Sequence, residues 1–298
     1  MGTHCTKYVR RADECRFVMM TTDSVVRLTI VIVSYNTRSA LADCLKALHE
    51  NPPSISHQVI VVDNASTDGT VNLIRQQWPS IDIIQMGFNA GFSAANNAAI
   101  YASQSELVLL LNSDTLPTSL GIDKLVTALD TNPDVGAVGP RLVNLQGQIE
   151  LSFGRMISPW NEAWQKLFML SATKRLSFFT SWLKQKAHTT HYPDWVSGAC
   201  MLVRRRDGDA VNWLDERYFL YTEDVDFCAA LRGQGQRILF TPTAELIHIG
   251  GQSGSNDPIR TRHLYRKSHL AFYAKHHPRW HGPLHWLLRL RNQLPPSE

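Results

Sequence analysis

Val59-Ile-Val-Val62-Asp-Asn-Ala-Ser-Thr-Asp-Gly69 decides how this chain folds. Its first four residues are all apolar and β-branched, the composition of a strand buried on both faces. Asp, Asn, Ser and Gly crowd into the next seven. They end the strand abruptly, make a turn and supply a helix cap. The helix then runs on through Val71, Ile74 and Gln77.

The same grammar repeats on either side. Leu28-Thr-Ile-Val-Ile-Val33 is a buried strand ending at Ser34-Tyr-Asn-Thr37, and a helix follows with Leu41, Cys44, Leu45 and Leu48 on one face until Pro52-Pro53 stops it. Ile81-Asp-Ile-Ile84 is a third strand. Asn89-Ala-Gly-Phe-Ser-Ala-Ala-Asn-Asn97 is a glycine turn opening a small-residue helix to about Ser103. Leu107-Val-Leu-Leu-Leu111 is a fourth strand, ending at Asn112-Ser-Asp-Thr115. Leu120 to Leu129 reads as helix and Val135-Gly-Ala-Val138 as strand. Strand and helix alternating through short links predict an α/β fold with a parallel sheet. Ligands of such sheets bind beyond the carboxyl ends of the strands. Three polar sets fall there: Ser34-Tyr35-Asn36, Asp63-Asn64 and Asn112-Ser113-Asp114. No Gly-x-Gly-x-x-Gly follows the first strand and no Walker loop is present, which argues against nicotinamide and P-loop chemistry.

Beyond residue 144 the pattern changes. Residues 145–195 carry Trp160, Trp164, Leu167, Phe168, Trp182 and Leu183 among Lys166, Lys174, Arg175 and Lys184. They read as short amphipathic helices, either a cap on the core or a flap toward acceptor or membrane. Asp194-Trp-Val-Ser-Gly-Ala-Cys-Met-Leu-Val203 is a small-residue bend entering a strand, where Gly198-Ala199 permits close approach. Arg204-Arg205-Arg206 reads as a solvated strand end. Glu223, Asp224 and Asp226 stand in the first turn of a helix running to about Arg232, where its dipole favours acids. Arg237-Ile-Leu-Phe240 and Ala244-Glu-Leu-Ile-His248 read as two strands, the second ending in Gly250-Gly-Gln-Ser253. The final third is two basic helices separated near Pro278 to Pro283.

The 298 residues, 44% hydrophobic and 19% charged, suit a globular chain with a sizeable core. The five Cys are scattered without a Cys-x-x-Cys, which points to reduced thiols in a cytosolic setting rather than disulfides or zinc. No apolar run approaches the roughly 18–20 residues of a membrane span, and the N-terminus lacks the apolar core of a signal peptide. Residues 1–26 are polar and aperiodic, a flexible extension with Met19 or Met20 as alternative starts; no function is assigned to them. The net charge is only +4, yet Arg260 to Ser297 holds eight Lys or Arg, six His and no acid. Such a tail suits an anionic partner. It lacks a nucleic-acid reader motif, and its Trp, Leu and Arg suit an anionic membrane surface better.

Val33-Ser-Tyr-Asn36, Val62-Asp-Asn-Ala-Ser-Thr-Asp-Gly69, Asn89-x-Gly-Phe-Ser-x-x-Asn96, Leu110-Leu-Asn-Ser-Asp114, Thr222-Glu-Asp-Val-Asp226 and His248-x-Gly-Gly251, in this order, resemble the inverting family 2 glycosyltransferases. Within that family they are similar to the bacterial rhamnosyltransferases. The likeness covers about residues 28–275. It implies a GT-A fold: a mixed, mainly parallel sheet flanked by helices, with a helical C-terminal extension. Residues 27–258 would form the transferase domain, 27–144 its nucleotide-sugar half and 145–258 its acceptor half. Residues 259–298 would be the basic amphipathic helices.

The resemblance also implies roles. Tyr35 would stack on or flank the base, and Asp63 would accept from a pyrimidine N3–H. Ser34, Asn36, Asn64, Asn89, Asn112 and Ser113 would complete the nucleotide-sugar site. Asp114, the last acid of an Asp-x-Asp motif, would hold a divalent cation, Mg²⁺ or Mn²⁺, on the diphosphate. The motif's first acid is Asn112 here, which adds no charge and leaves the metal more dependent on Asp114 and His248. His248 is a metal ligand or a structural strand-end residue; an imidazole suits Mn²⁺ better than Mg²⁺. Asp224 matches the catalytic base, with Glu223, Asp226, Trp195 and Gly198 as supporting or acceptor-side residues. Asp226 either holds the loop or contacts acceptor. The implied reaction moves a sugar, L-rhamnose from dTDP-rhamnose or another from a UDP-sugar, onto a polysaccharide or lipid-linked glycan at the inner face of the plasma membrane. The alternative is a sugar-nucleotide or glycan binder without transfer.

Overall fold

A computed structural model of the chain describes residues 26–162, 185–250 and 258–294. The expected N-terminal extension (1–25), the aromatic and basic residues 163–184 and the glycine segment 251–257 lie outside the described residues.

Seven elements follow in strict alternation: β1 (Leu28–Ser34), α1 (Arg38–Glu50), β2 (His57–Asp63), α2 (Thr70–Gln77), β3 (Asp82–Gln85), α3 (Phe92–Tyr101) and β4 (Leu107–Asn112). The next are β5 (Thr115–Leu116), α4 (Gly121–Asp130), β6 (Val135–Val143), β7 (Ile149–Glu150), β8 (Phe153–Gly154), β9 (Trp195–Val196) and β10 (Cys200–Arg204). The chain then forms α5 (Arg205–Ala210), α6 (Glu223–Gly233), β11 (Arg237–His248), α7 (Pro258–His276) and α8 (Pro278–Leu290). Among the described residues the main sheet runs β3-β2-β1-β4-β10-β6-β11-β5, with β7 added on β6. β1 through β4 are parallel, β10 is antiparallel between β4 and β6, and β11 is parallel to β6.

Both faces of the sheet are covered, which is why the strands are apolar throughout rather than alternating. Leu28, Ile30, Ile32, Leu107, Leu109 and Leu111 face α1 and α4 through Leu41, Leu45, Leu48, Leu125 and Leu129. Val31, Val62, Val108 and Leu110 turn the other way onto Ala95, Ala99 and Ile100 of α3 and Phe227 of α6. The small residues of α3 let it lie close to the sheet. A third cluster joins Tyr218 and Val225 to Phe272, Tyr273, Leu284 and Leu288, seating α7 and α8 against the start of α6.

Three expectations change. The two strands expected at 237–240 and 244–248 are one strand, β11, whose register against β6 shifts between Thr241 and Glu245. Three extra residues, Pro242 to Ala244, are carried there as a bulge without ending the strand. Arg204-Arg205-Arg206 is not a solvated strand end. Arg204 is buried and donates to the carbonyls of Leu129, Val135 and, at 3.2 Å, Asn132. Arg205 donates to Ser105 O (2.5 Å), Ile100 O (3.2 Å) and Ser103 Oγ (2.7 Å), pinning the carbonyls at the end of α3. Only Arg206 is exposed. The break between the two C-terminal helices is His277 alone, with Pro278 at the first helical position and Pro283 carried inside α8.

Candidate active site

Strand register brings the polar sets together. Ser34 lies opposite Asp63 on β1 and β2, and Asn112 lies opposite Val33 on β4 and β1. Hydroxyls link the loops above them: Ser34 Oγ to Thr37 Oγ1, and Thr37 Oγ1 to Ser113 Oγ, each 2.9 Å. Tyr35 stands exposed beside them. Asp63 Oδ2 accepts from the Ser66 N–H (3.2 Å), while its Oδ1 is buried and has no partner. Asn112 Oδ1 is likewise buried without a partner. Buried polar atoms are almost always paired, so two orphans at the strand ends flanking β1 mark a place where something else bonds.

The asparagines behave differently. Asn36, at φ 53°, uses its side-chain oxygen to receive the Thr67 N–H at 2.8 Å. Asn64 donates to Asn89 Oδ1 (2.9 Å) and Gly91 O (3.2 Å) and receives the Ala90 N–H (2.9 Å). Asn89 Oδ1 also receives the Gly91 N–H at 3.1 Å. These three hold loops to one another, and their known partners are protein groups. The braced loop in turn meets residues 218–219: the Phe92 N–H donates to Phe219 O (2.7 Å) and Ser93 Oγ to Tyr218 O (2.9 Å). Gly91, at φ 87°, is required here, because a Cβ would stand 2.6 Å from Phe219 O.

The acids at the start of α6 sit just beyond. Tyr221 and Thr222 precede them with φ of 69° and 73°, left-handed values that are unfavourable for a β-branched residue. Strain of this kind concentrates at functional sites. Asp224 is half-buried; its Oδ2 accepts the Gly198 N–H (3.0 Å) and its Oδ1 the Val225 N–H (2.8 Å). The next residue, Ala199, accepts the Asn112 N–H at 2.9 Å. Gly198-Ala199 thus couples Asp224 to the end of β4. Burial raises the Asp224 pKa above the usual carboxylate value, and the two N–H bonds only partly offset it. A Cβ on Gly198 would lie 3.4 Å from Asp224 Cβ, at contact distance.

Its neighbours differ. Glu223 is buried, its Oε2 has no partner, and burial followed by the Asp224 charge pushes its pKa well up. Asp226 is buried and turns to the C-terminal helices, meeting Tyr218 OH (3.1 Å), Lys275 Nζ (2.8 Å) and His276 Nε2 (2.6 Å). Trp195 lies against Gly154 and donates its indole N–H to Arg155 O at 2.9 Å.

The description Glycosyl transferase family 2 matches residues 29–206, more than half of the chain. The chain belongs to this glycosyltransferase family. Over 279 residues it is 31% identical to the N-acetylglucosaminyl-diphospho-decaprenol L-rhamnosyltransferase of Mycobacterium tuberculosis (strain ATCC 25618 / H37Rv), covering 88% of this chain and 89% of the relative. It is 27% identical over 255 residues to the rhamnosyltransferase WbbL of Escherichia coli K12, covering 83% and 92%. A mannosyltransferase from Pyrobaculum calidifontis, solved with GDP-Man and Mn²⁺, superposes with a TM-score of 0.57 at 20% identity over 87% of this chain and 68% of its own. That likeness shows the fold, which is GT-A.

The glycosyltransferase also has residues suited to a divalent cation. His248 ends β11 beside β5, so its Nε2 comes within 3.3 Å of Asp114 Oδ1. On the other side Glu150 Oε2 meets Nδ1 at 2.7 Å. Burial lowers the His248 pKa, but the Asp114 and Glu150 carboxylates outweigh it and raise it to about 9. A carboxylate on Nδ1 fixes the ring so that Nε2, on giving up its proton to an incoming ion, would be oriented to hold a metal, the arrangement common behind histidine ligands. Among the described residues no group of three or more His, Cys, Asp or Glu is placed to hold an ion. Asp114 and His248 would therefore share it with the diphosphate, since divalent cations at phosphate sites usually take one or two protein ligands and complete their shell with phosphate oxygens. Glu150 escapes sequence reading because β7 is two residues long and carries no motif; only its pairing with β6 brings it here.

Proposed function

We propose that this glycosyltransferase moves L-rhamnose from dTDP-rhamnose onto a hydroxyl of a lipid-linked glycan precursor of a cell-surface polysaccharide, with inversion, at the inner face of the membrane. The observation that carries the reading is Asp224. It is held by Gly198, one residue from the backbone bond between Ala199 and Asn112, so a base stands next to the donor end of the sheet. Two rhamnosyltransferases aligned over most of their length support the sugar, and the lipid-linked substrate named for one of them supports the acceptor.

In this scheme Asp63 Oδ1 accepts the N3–H of the pyrimidine and Tyr35 lines its ring. Asn112 Oδ1 accepts a donor hydroxyl or contributes an oxygen ligand. A divalent cation held by Asp114 and His248 would supply charge stabilisation to the departing diphosphate. Asp224 takes the proton of the acceptor hydroxyl. The freed oxygen forms the new bond to the anomeric carbon as the bond to the phosphate oxygen breaks, and that electron pair leaves with the nucleoside diphosphate. One displacement inverts the centre. Burial serves this role: a carboxylate whose pKa is raised is a better proton acceptor than a solvated aspartate.

Asn112 favours a second reading, nucleotide-sugar binding without turnover, since it replaces an acid. A donor screen separates the two. The purified chain is offered dTDP-rhamnose, UDP-glucose, UDP-N-acetylglucosamine and UDP-galactofuranose with Mg²⁺ or Mn²⁺ and an N-acetylglucosaminyl-diphospho-lipid. Nucleotide release from dTDP-rhamnose that needs both acceptor and cation is expected. Preference for another donor overturns the rhamnose assignment, and binding without release overturns the transferase mechanism.

A further inference from the structure

The last helix, α8, has an apolar arc wider than a surface helix needs. Leu284 and Leu288 are buried against Phe272 and Tyr273 of α7 and anchor it to the body. Beside them a second stripe, Trp280, Pro283, Trp286 with Leu287, and Leu290, recurs at helical spacing and carries the apolar surface round to the solvent side. Trp280, Trp286 and Leu290 are 45%, 63% and 63% exposed. Trp160, in a helical turn far away in sequence and 69% exposed, meets Trp280 with ring centroids 6.1 Å apart. Two remote segments thus converge to present one aromatic surface to solvent. Scattered exposed apolar residues need no explanation, but a clustered patch does.

Charge identifies the occupant. Arg279, Arg289 and Arg291 are exposed along the same helix, and α7 and α8 carry no acid at all. The basic groups that face inward are already engaged, Lys275 with Asp215 and Asp226, and His276 with Asp226. Tryptophans at the level of the headgroups, arginines beside them and a leucine stripe make an interfacial helix. Among the described residues no helix is long and apolar enough to cross a membrane. We infer that Trp160, Trp280, Trp286 and Leu290, flanked by Arg279, Arg289 and Arg291, dock in the plane of an anionic bilayer. α7, on which α8 packs, holds Asp226 two residues after Asp224, so the docked face is joined to the Asp224 turn through one helix. The purpose of this surface, presenting the base to a lipid-linked acceptor, rests on the function proposed above; its binding to lipid does not.

The test is flotation of the full chain with vesicles of phosphatidylcholine alone or mixed with phosphatidylglycerol. Two variants are compared, Trp280→Ser/Trp286→Ser/Leu290→Ser and Arg279→Gln/Arg289→Gln/Arg291→Gln, each checked for an unchanged melting temperature. Wild type should partition strongly onto the mixed vesicles and weakly onto phosphatidylcholine. The arginine variant should lose roughly a hundredfold in partition on mixed vesicles, and the aromatic variant about tenfold or more on either. Donor turnover with a water-soluble acceptor should be unchanged in both, so a failed assignment of the reaction leaves the flotation result readable. Equal flotation of wild type and both variants overturns the inference, as does failure of wild type to float. A wild-type dimer that the aromatic variant converts to monomer would assign the face to a second copy of the chain instead.

Discussion

Three acids within four residues meet three fates, because burial and partners rather than residue type set what a carboxyl does. Asp224 accepts two N–H groups and remains half-buried, so its acidic limb in a pH profile of transfer should lie above the ordinary aspartate value of 3.8. Activity should be full above that raised pKa and fall as pH drops through it; a limb at or below the ordinary value contradicts this environment. Glu223 has no partner for Oε2 and a pKa well above 4.5. A raised folded-state pKa means the protonated form is favoured, so stability is intact below the unfolded value and is lost as pH rises. Glu223→Gln should therefore leave the melting temperature nearly unchanged near pH 4 and raise it at neutral pH, where only the glutamate must ionise in a buried site or bind a proton to fold. Thermal unfolding at the two pH values checks it. Glu150 acts through His248. Glu150→Gln should weaken Mn²⁺ binding, read by electron paramagnetic resonance, by about 10–100-fold, with dTDP affinity in the absence of metal unchanged. Equal Mn²⁺ affinity would make Glu150 a mere surface partner of the ring.

At the scale of elements, α6 is joined to α7 by a buried charge rather than by apolar contact alone. Asp226 has Lys275 and His276 within 2.8 Å and receives the Tyr218 hydroxyl. Asp226→Ala should cost about 1–3 kcal/mol, as expected when the buried Tyr218 hydroxyl loses its acceptor while Lys275 keeps Asp215. Hydrogen exchange should quicken across 258–290. Unchanged protection there would contradict the brace. The sequence left Asp226 between two roles, and it could not do otherwise: Lys275 and His276 lie 49 and 50 residues away. Strands β1 to β4 were legible because each is a short apolar run cut off by polar turn residues. The single strand β11 was read as two because Thr241-Pro-Thr243 looks like a break, whereas it is a bulge that β6 accommodates. Arg204 and Arg205 were misread for a related reason. Nothing local reveals that carbonyls at the end of α3 and after α4 wait for their guanidinium groups.

In the whole molecule, one edge of the sheet gathers what the chain scatters over more than two hundred residues. Motif spacing announced the strand-end positions Ser34, Asp63, Asn112 and Asp114, but could not say which polar atoms would be left open. Asp63 Oδ1 and Asn112 Oδ1 are open, while Asn64 and Asn89 are occupied with each other. That difference depends on the close approach of the 89–91 loop to Phe219, a tertiary fact. α7 and α8 pack against the start of α6, so the strand ends, Asp224 and the exposed aromatic face are linked through one element. This arrangement places the whole account on Asp224. The most direct measurement compares wild type with Asp224→Asn, using donor affinity by titration calorimetry alongside kcat for acceptor-dependent nucleotide release. Donor affinity within about twofold of wild type is expected, with kcat lower by about 10²–10⁴, the usual contribution of a general base. Near-wild-type kcat, or a loss confined to donor binding, would contradict it.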